Sequence, residues 1–313
     1  MLIALEVLAN CIKDFSHTAL NHAFTHLLTQ VKEGKMLPII IGKAFDFLLL
    51  IDNRSQTTGK NKTSNNALVS CDKPWLTELH QHLEYEILTG ITNFPDNRNT
   101  FMSHLYGYSE VNLQTRIRPH QTIISFIHKY MNECSKIRET EMHLENERLF
   151  NSMILIAGRL SLRDSCVAAT TCTLYANILH SYDRPPIVNT IIVALTDLCK
   201  KHTQIVESIV ARVLRKLKSP YEVNRMETFK CFEKLVLQDQ LKLRGSLLLA
   251  LLASLLDDSE EVSSRAADFF TEFLAKKNPA LFQKCLIECP FVFNEYQVRF
   301  LKHFSISDYY YPV

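Results

Sequence analysis

Along most of the chain, apolar residues recur at the spacing of helices packed on one face. In the segment IVESIVARVLRKL, the residues Ile205, Val206, Ile209, Val210, Val213, Leu214 and Leu217 form one apolar stripe, with Glu207, Arg212, Arg215 and Lys216 off it. That pattern reads as an amphipathic helix. Residues 262–274 repeat it with Val262, Ala266, Phe269, Phe270, Phe273 and Leu274. SLLLALLASLL, at 246–256, is apolar all round, so it is expected to be covered on nearly every side.

The punctuation between these segments is periodic. Pro185-Pro186, Pro220 and the acidic turn DDSEE at 257–261 each precede a segment that opens on Val188, Val223 or Val262, and those valines lie 35 and 39 residues apart. Each interval holds two helical segments, the second more apolar than the first. A period of this size with two helices per unit is the signature of tetratricopeptide, HEAT and armadillo arrays. The Trp, Gly and Tyr positions of the tetratricopeptide consensus are missing, and so is the ankyrin turn motif. The expected fold is all-α, an α-solenoid of HEAT/armadillo-type helical repeats.

Upstream the pattern is less even. Residues 1–51 carry helical spacing divided at Pro38, and 52–66 (DNRSQTTGKNKTSNN) contain no apolar side chain. The expected organisation is an N-terminal helical repeat segment at 1–51 and a flexible polar loop at 52–73. A helical segment at 74–149 follows, interrupted by an irregular loop at 93–119. The repeat region runs over 150–304 and a tail over 305–313.

Composition supports this reading. Only 7 of 313 residues are glycine, about 2% against an ordinary ~7%. Glycine supplies the left-handed and close-approach positions of hairpins, nucleophile elbows and phosphate loops. A chain so poor in it is not expected to be a dinucleotide-binding domain, a P-loop ATPase, a sandwich or a barrel. The 47% hydrophobic share is enough for a large core. The 9 cysteines include no tight CxxC pair and read as apolar fillers in a reducing compartment. The start, MLIALEVLANC, has no basic stretch and carries Glu6 within its apolar run, so it does not read as a secretory signal. The longest apolar runs, 39–51 and 246–256, fall short of the ~20 residues of a membrane span. A soluble intracellular protein is expected.

No motif for chemistry stands up. The fragment TTGKN at 57–61 lacks the upstream glycine and the following hydroxyl of a phosphate loop. His22 and His26 share a helix face with His17 near, but no carboxylate or thiolate pattern accompanies them, and they read as surface histidines. His80 and His82 would diverge on a helix. Cys285 and Cys289 could share a face and read as core packing. No catalytic, cofactor-binding or metal residue is assigned, and an enzyme is not expected.

The net charge of +2 says little, but its distribution says more. Residues 200–244 hold eleven Lys and Arg against five acids, and 257–272 hold six acids against Arg265. One reading is a basic ridge facing phosphates, where Lys and Arg release counterions. The other is a solvated face on which Lys200, Lys201, Lys216 and Lys218 oppose helix dipoles at C-termini. Gly245 enters the apolar helix from the basic stretch; it serves either a partner's close approach or, more simply, a turn.

Residues 187–296 resemble the C-terminal HEAT region of the D-type non-SMC subunits of condensin. The blocks that carry the likeness are IVNTIIVALTDLCKKHTQIVESIVARVLRKLKSP, KLVLQDQLKLRGSLLLALLASLLDD and FLAKKNPALFQKCLIECPFVFNEY. The last of these is similar to the condensin II version rather than that of condensin I. Between Pro220 and Lys234 the chain departs from the family, with Met226, Glu227 and Cys231 in place of a more aliphatic run. The likeness covers roughly half the chain, and because the chain is far shorter than a family member, a fragment or short form is expected.

The resemblance implies a scaffold subunit of condensin II that binds kleisin and SMC subunits and touches DNA or nucleosomes, histone tails included. It also implies a place in the nucleus, on chromosomes, in mitotic chromosome condensation. No cofactor, membrane or small-molecule substrate is implied. Under that reading Arg215, Lys216, Lys218, Arg225 and Lys230 are the candidate DNA or partner contacts. A generic HEAT adaptor of the transport or phosphatase-scaffold kind is the alternative.

Overall fold

A computed structural model describes residues 5–6, 15–57, 73–94, 96–115, 117–243, 245–277, 279–280, 283–284 and 287. Helices make up nearly all of it, and no strand occurs among the described residues. The fold is all-α and HEAT-like, as the periodicity predicts. The chain divides into two compact units, 1–130 with 156–167, and 131–155 with 168–313.

The first unit begins with α1 (His17–Lys32), α2 (Pro38–Thr57), α3 (Pro74–Gly90) and α4 (Arg98–Gln114). Ser16 starts α1 by accepting the Ala19 N–H at 3.3 Å, satisfying one of the donors a helix start leaves open. Pro38 and Pro74 open their helices, where a missing N–H costs nothing. Helix α4 packs against α1, α2 and α3. Two expectations fail in this unit. Residues 93–119, read as an irregular loop, contain α4, and residues 52–57 of the polar stretch finish α2; the rest of that stretch, 58–72, lies outside the described residues.

Helix α4 hides from periodicity because it is enclosed on several sides while carrying polar residues. Ser103, His104, Ser109, Glu110 and Asn112 are all buried within it. Two of them bond locally: Ser109 Oγ donates to the Tyr106 carbonyl at 2.8 Å and Asn112 Nδ2 to the Tyr108 carbonyl at 2.8 Å. Glu110 meets Arg159 at 2.5 Å, yet burial holds its carboxyl above the usual range. His82 and His104 both reach the Lys32 carbonyl at the end of α1, each at 3.1 Å. Beyond it Gly34 turns with φ +63, and a Cβ there would stand 2.7 Å from His104 Nε2.

Helices α5 (Gln121–Cys134), α6 (Leu144–Ser161) and α7 (Ser165–Ser181) follow along the chain. The second unit then continues with α8 (Pro185–Lys201), α9 (Thr203–Glu207), α10 (Val210–Val213), a 3-10 turn (Leu214–Lys218) and α11 (Glu222–Leu237). Helix α12 (Gly245–Ala253), α13 (Glu260–Asp268), a π turn (Phe269–Leu274) and α14 (Ala275–Lys277) end the described array. Helices α8, α11 and α13, which open the pairs, start 37 and 38 residues apart at Pro185, Glu222 and Glu260. Helix α8 packs on α11 and α11 on α13, while α10 and the 3-10 turn pack on α12. Like helices of successive pairs therefore stack, the arrangement of a repeat array.

The stripe over 205–217 is buried as expected at Val206, Ile209, Val213, Leu214 and Leu217. It is not one helix, however, but α9, α10 and the 3-10 turn. Tightening to three residues per turn brings Leu214 and Leu217 onto one face. The all-round cover expected for 246–256 is also incomplete. Leu247, Leu248 and Leu251 are buried, whereas Leu255 is 36% and Leu256 88% exposed. No helix among the described residues is long and apolar enough to cross a membrane.

A candidate basic cleft in the second unit

The site grows from the turn that ends the first helix pair. Pro220 forces the residue before it out of the helical region, and Ser219 accordingly has φ -60 and ψ 144, stopping the 3-10 turn. This leaves Lys216 pointing inward at 5% exposure. Its Nζ donates to the Tyr182 carbonyl at 2.7 Å and to Asp183 Oδ1 at 2.8 Å. Ser219 Oγ adds a bond to the same carboxylate at 3.2 Å, and Asn224 Nδ2 donates to the Asp183 carbonyl at 2.6 Å. A buried ammonium needs this set of acceptors, because water no longer solvates it.

One pair further along, Arg225 grips Asp257 with two parallel bonds, Nε to Oδ2 at 2.8 Å and Nη2 to Oδ1 at 2.9 Å. Its Nη1 reaches the Ser219 carbonyl at 2.9 Å. The paired carboxylate raises the Arg225 pKa, so the guanidinium stays charged. Arg265 holds Glu233 in the same forked way, at 2.9 and 3.2 Å. The acidic stretch and the basic stretch thus partly neutralise one another from repeat to repeat.

Beside the Lys216 turn lies a cleft of about 710 Å³. The last turns of α7 contribute Asn177, His180 and Ser181, and the α10 to 3-10 segment contributes Arg212, Arg215, Lys216 and Lys218. Arg212, Arg215 and Lys218 are exposed. Four cations and one acid, Asp183, make the cleft strongly basic.

The five residues expected to form one basic ridge are therefore split three ways. Arg215 and Lys218 stand in the cleft; Lys216 and Arg225 are spent holding turns together; Lys230 is exposed on α11 beside Glu227 at 2.9 Å. Lys216 and Arg225 are drawn away from a common ridge by acids, Asp183 and Asp257, that lie one repeat away, out of sight of a local charge count. Arg212 is not among those five, although its spacing of three from Arg215, and that of Arg215 from Lys218, is readable in the sequence.

The remaining chemical candidates find ordinary roles. His22 and His26 are exposed on α1. His80 is buried while His82 turns to the Lys32 carbonyl, so the two diverge. Burial pushes the Cys172 thiol up to about 12 and those of Cys199 and Cys231 to about 11, so they behave as inert apolar groups. Cys285 and Cys289 lie outside the described residues. Gly245 has φ +56 at the first residue of α12, the left-handed value that a turn into the helix requires.

Comparison with known proteins places this region in context. Residues 187–294 match the family model described as non-SMC mitotic condensation complex subunit 1. The condensin-2 complex subunit CAP-D3 of Arabidopsis thaliana is 33% identical over 148 residues, 47% of this chain and 11% of that protein. The condensin-2 complex subunit D3-L of Xenopus laevis is 20% identical over 309 residues, 93% of this chain and 21% of its own length. The condensin-2 complex subunit D3 of Mus musculus is 26% identical over 144 residues, 46% of this chain and 10% of its own. The chain thus spans about a tenth to a fifth of these curated relatives. No solved structure matches it.

Proposed function

We propose that this chain, a relative of the condensin-2 D3 subunits, acts as a non-enzymatic scaffold that binds the kleisin and SMC subunits of a condensin II complex. Its place is then the nucleus, on chromosomes, where the complex serves mitotic chromosome condensation. The observation that carries this reading is the position of the family match: 187–294 covers the stacked pairs α8 to α13 and most of the basic lining of the cleft. Stacked repeats present side chains on a continuous support and work by holding partners, with no chemistry of their own.

Within the basic stretch, contact with DNA or nucleosomes belongs to the exposed cations of α11. Lys230 and Lys234 lie four residues apart and share a face. The Glu227 beside Lys230 is no obstacle, since an exposed ion pair is worth only about 0–1 kcal/mol. Arg215 and Lys218 serve a protein partner instead, and Lys216 and Arg225 hold the support in shape.

Co-expression with kleisin and SMC subunits tests the scaffold reading. The chain should co-elute with them on size exclusion, whereas a generic adaptor would elute alone, and that result would end the condensin assignment. For the DNA contact, the K230E/K234E variant should reduce the slope of log affinity against log salt by about 2.

A further inference from the structure

We infer that the basic cleft is a docking site for an extended acidic peptide segment with carboxylates on alternate residues. This goes beyond the scaffold reading, which names partners but no ligand for the cleft, and rests on it only in taking the ligand to be a protein. The juxtaposition that carries it is a row. Arg212, Arg215 and Lys218 succeed one another at intervals of three along α10 and the 3-10 turn, and all three line the cleft.

A 3-10 helix has about 3 residues per turn and rises about 2 Å per residue, so Arg215 and Lys218 eclipse at a step of about 6 Å. Arg212, in the α-helical turn before them, lies about 4.5 to 6 Å further back along the axis. Alternate residues of an extended strand point the same way at about 6.6 Å. Two acids on one edge of an extended peptide would therefore meet Arg215 and Lys218 in register, with Arg212 in reach of a third through its long side chain. A helical ligand, with same-face residues at three or four, would match a row of this pitch less well.

The rest of the cleft suits the same ligand. Asn177 and Ser181 bring an amide and a hydroxyl to the lining contributed by α7, able to take the N–H and C=O groups of a passing backbone. The volume of about 710 Å³ falls in the ~300–1,000 Å³ range of concave sites. Lys216 fixes the turn from below: its anchorage on Tyr182 and Asp183 holds the row in place before any ligand arrives.

Successive phosphates would also suit a row of cations, so shape and lining decide against nucleic acid. Duplex DNA presents its phosphates on a rod too wide to enter a cleft of about 710 Å³. Single strands are gripped by stacking on aromatic side chains, and His180 is the one aromatic ring in the lining.

The test uses the full chain, a labelled octapeptide of alternating Glu and Ser, a second octapeptide with the same residues in two blocks, and a short DNA duplex. The alternating peptide is expected to bind several-fold more tightly than the blocked one. It should weaken at least ~tenfold in the R212E/R215E/K218E variant, where three attractions become repulsions. Duplex binding should respond to K230E/K234E and hold in the triple variant. Circular dichroism and the melting temperature of the variant are recorded alongside, so that loss of fold is told from loss of binding.

Equal affinity for the two peptides would overturn the row. Loss of duplex but not peptide binding in the triple variant would hand the cleft to DNA, and no binding of either peptide would remove the site. Co-elution of the wild-type chain with kleisin and SMC subunits is scored separately, so failure of the condensin reading stays distinguishable from failure of the cleft.

Discussion

In the first unit, α4 is enclosed by α1, α2 and α3 and draws polar side chains inside with it. In the second, two ion pairs sit at the turns between helices, Lys216 on Asp183 and Arg225 on Asp257, and a third, Glu233 with Arg265, joins α11 to α13. Both arrangements give most of their buried polar groups a partner, although Ser103 Oγ and Asn112 Oδ1 in the first unit and Asn224 Oδ1 in the second have none. They do so over different distances. Most partners in α4 lie within the same helix or come from one basic residue, while partners in the second unit lie one repeat away. A unit built the first way should respond to changes inside one helix. A unit built the second way should respond to changes at its turns.

The largest expected effect strikes a turn. Asp257→Ala leaves Arg225 with no carboxylate in a site where that side chain is 15% exposed. It also removes the acceptor of the Ser259 N–H. Losing one partner of a buried pair costs about 3 kcal/mol, so urea unfolding of the second unit should shift by that amount. A loss below about 1 kcal/mol would mean that turn latches contribute little.

A smaller effect is expected in the first unit. Gly34→Ala forces a side chain into the left-handed region, which costs about 1–2 kcal/mol. The new methyl group also presses on His104 and Thr100. The thermal midpoint should fall, and the His104 bond to the Lys32 carbonyl should weaken with it, visible in the histidine ring signals by NMR.

Acid should weaken the first unit gradually. Burial holds His80, His104 and His128 below the ordinary imidazole value of 6.5. For a base with a lowered folded pKa, the unfolded chain takes up protons first. The stabilisation is therefore complete above about pH 6.5 and declines as the pH falls below it. Urea midpoints of the first unit between pH 7.5 and 5 should track that decline, and His104→Gln should flatten it. At the small end, Lys230→Gln breaks an exposed ion pair with Glu227 and should change stability by less than about 0.5 kcal/mol, while still lowering DNA affinity.

These two constructions also decide what could be read from the sequence. The second unit was legible because aliphatic residues such as Val206, Val213 and Leu217 keep helical spacing, and prolines mark the joints. The break of 205–217 into short helices was not, since a 3-10 turn needs only a small change of spacing. Helix α4 escapes because Ser103, Gly107 and Asn112 read as loop residues until tertiary contacts enclose them. The cleft was half legible: its cations stood in plain view, but the acids that withdraw Lys216 and Arg225 lie more than thirty residues away.

The Lys216 turn has a mechanical consequence. In a stacked array each repeat touches only its neighbours, so pulling on the ends loads the joints in series. The Asp183–Lys216 and Arg225–Asp257 contacts sit at successive joints and would yield one after the other. Under tension the second unit would then lengthen in discrete steps, each opening one joint with its ion pair and the apolar contacts beside it.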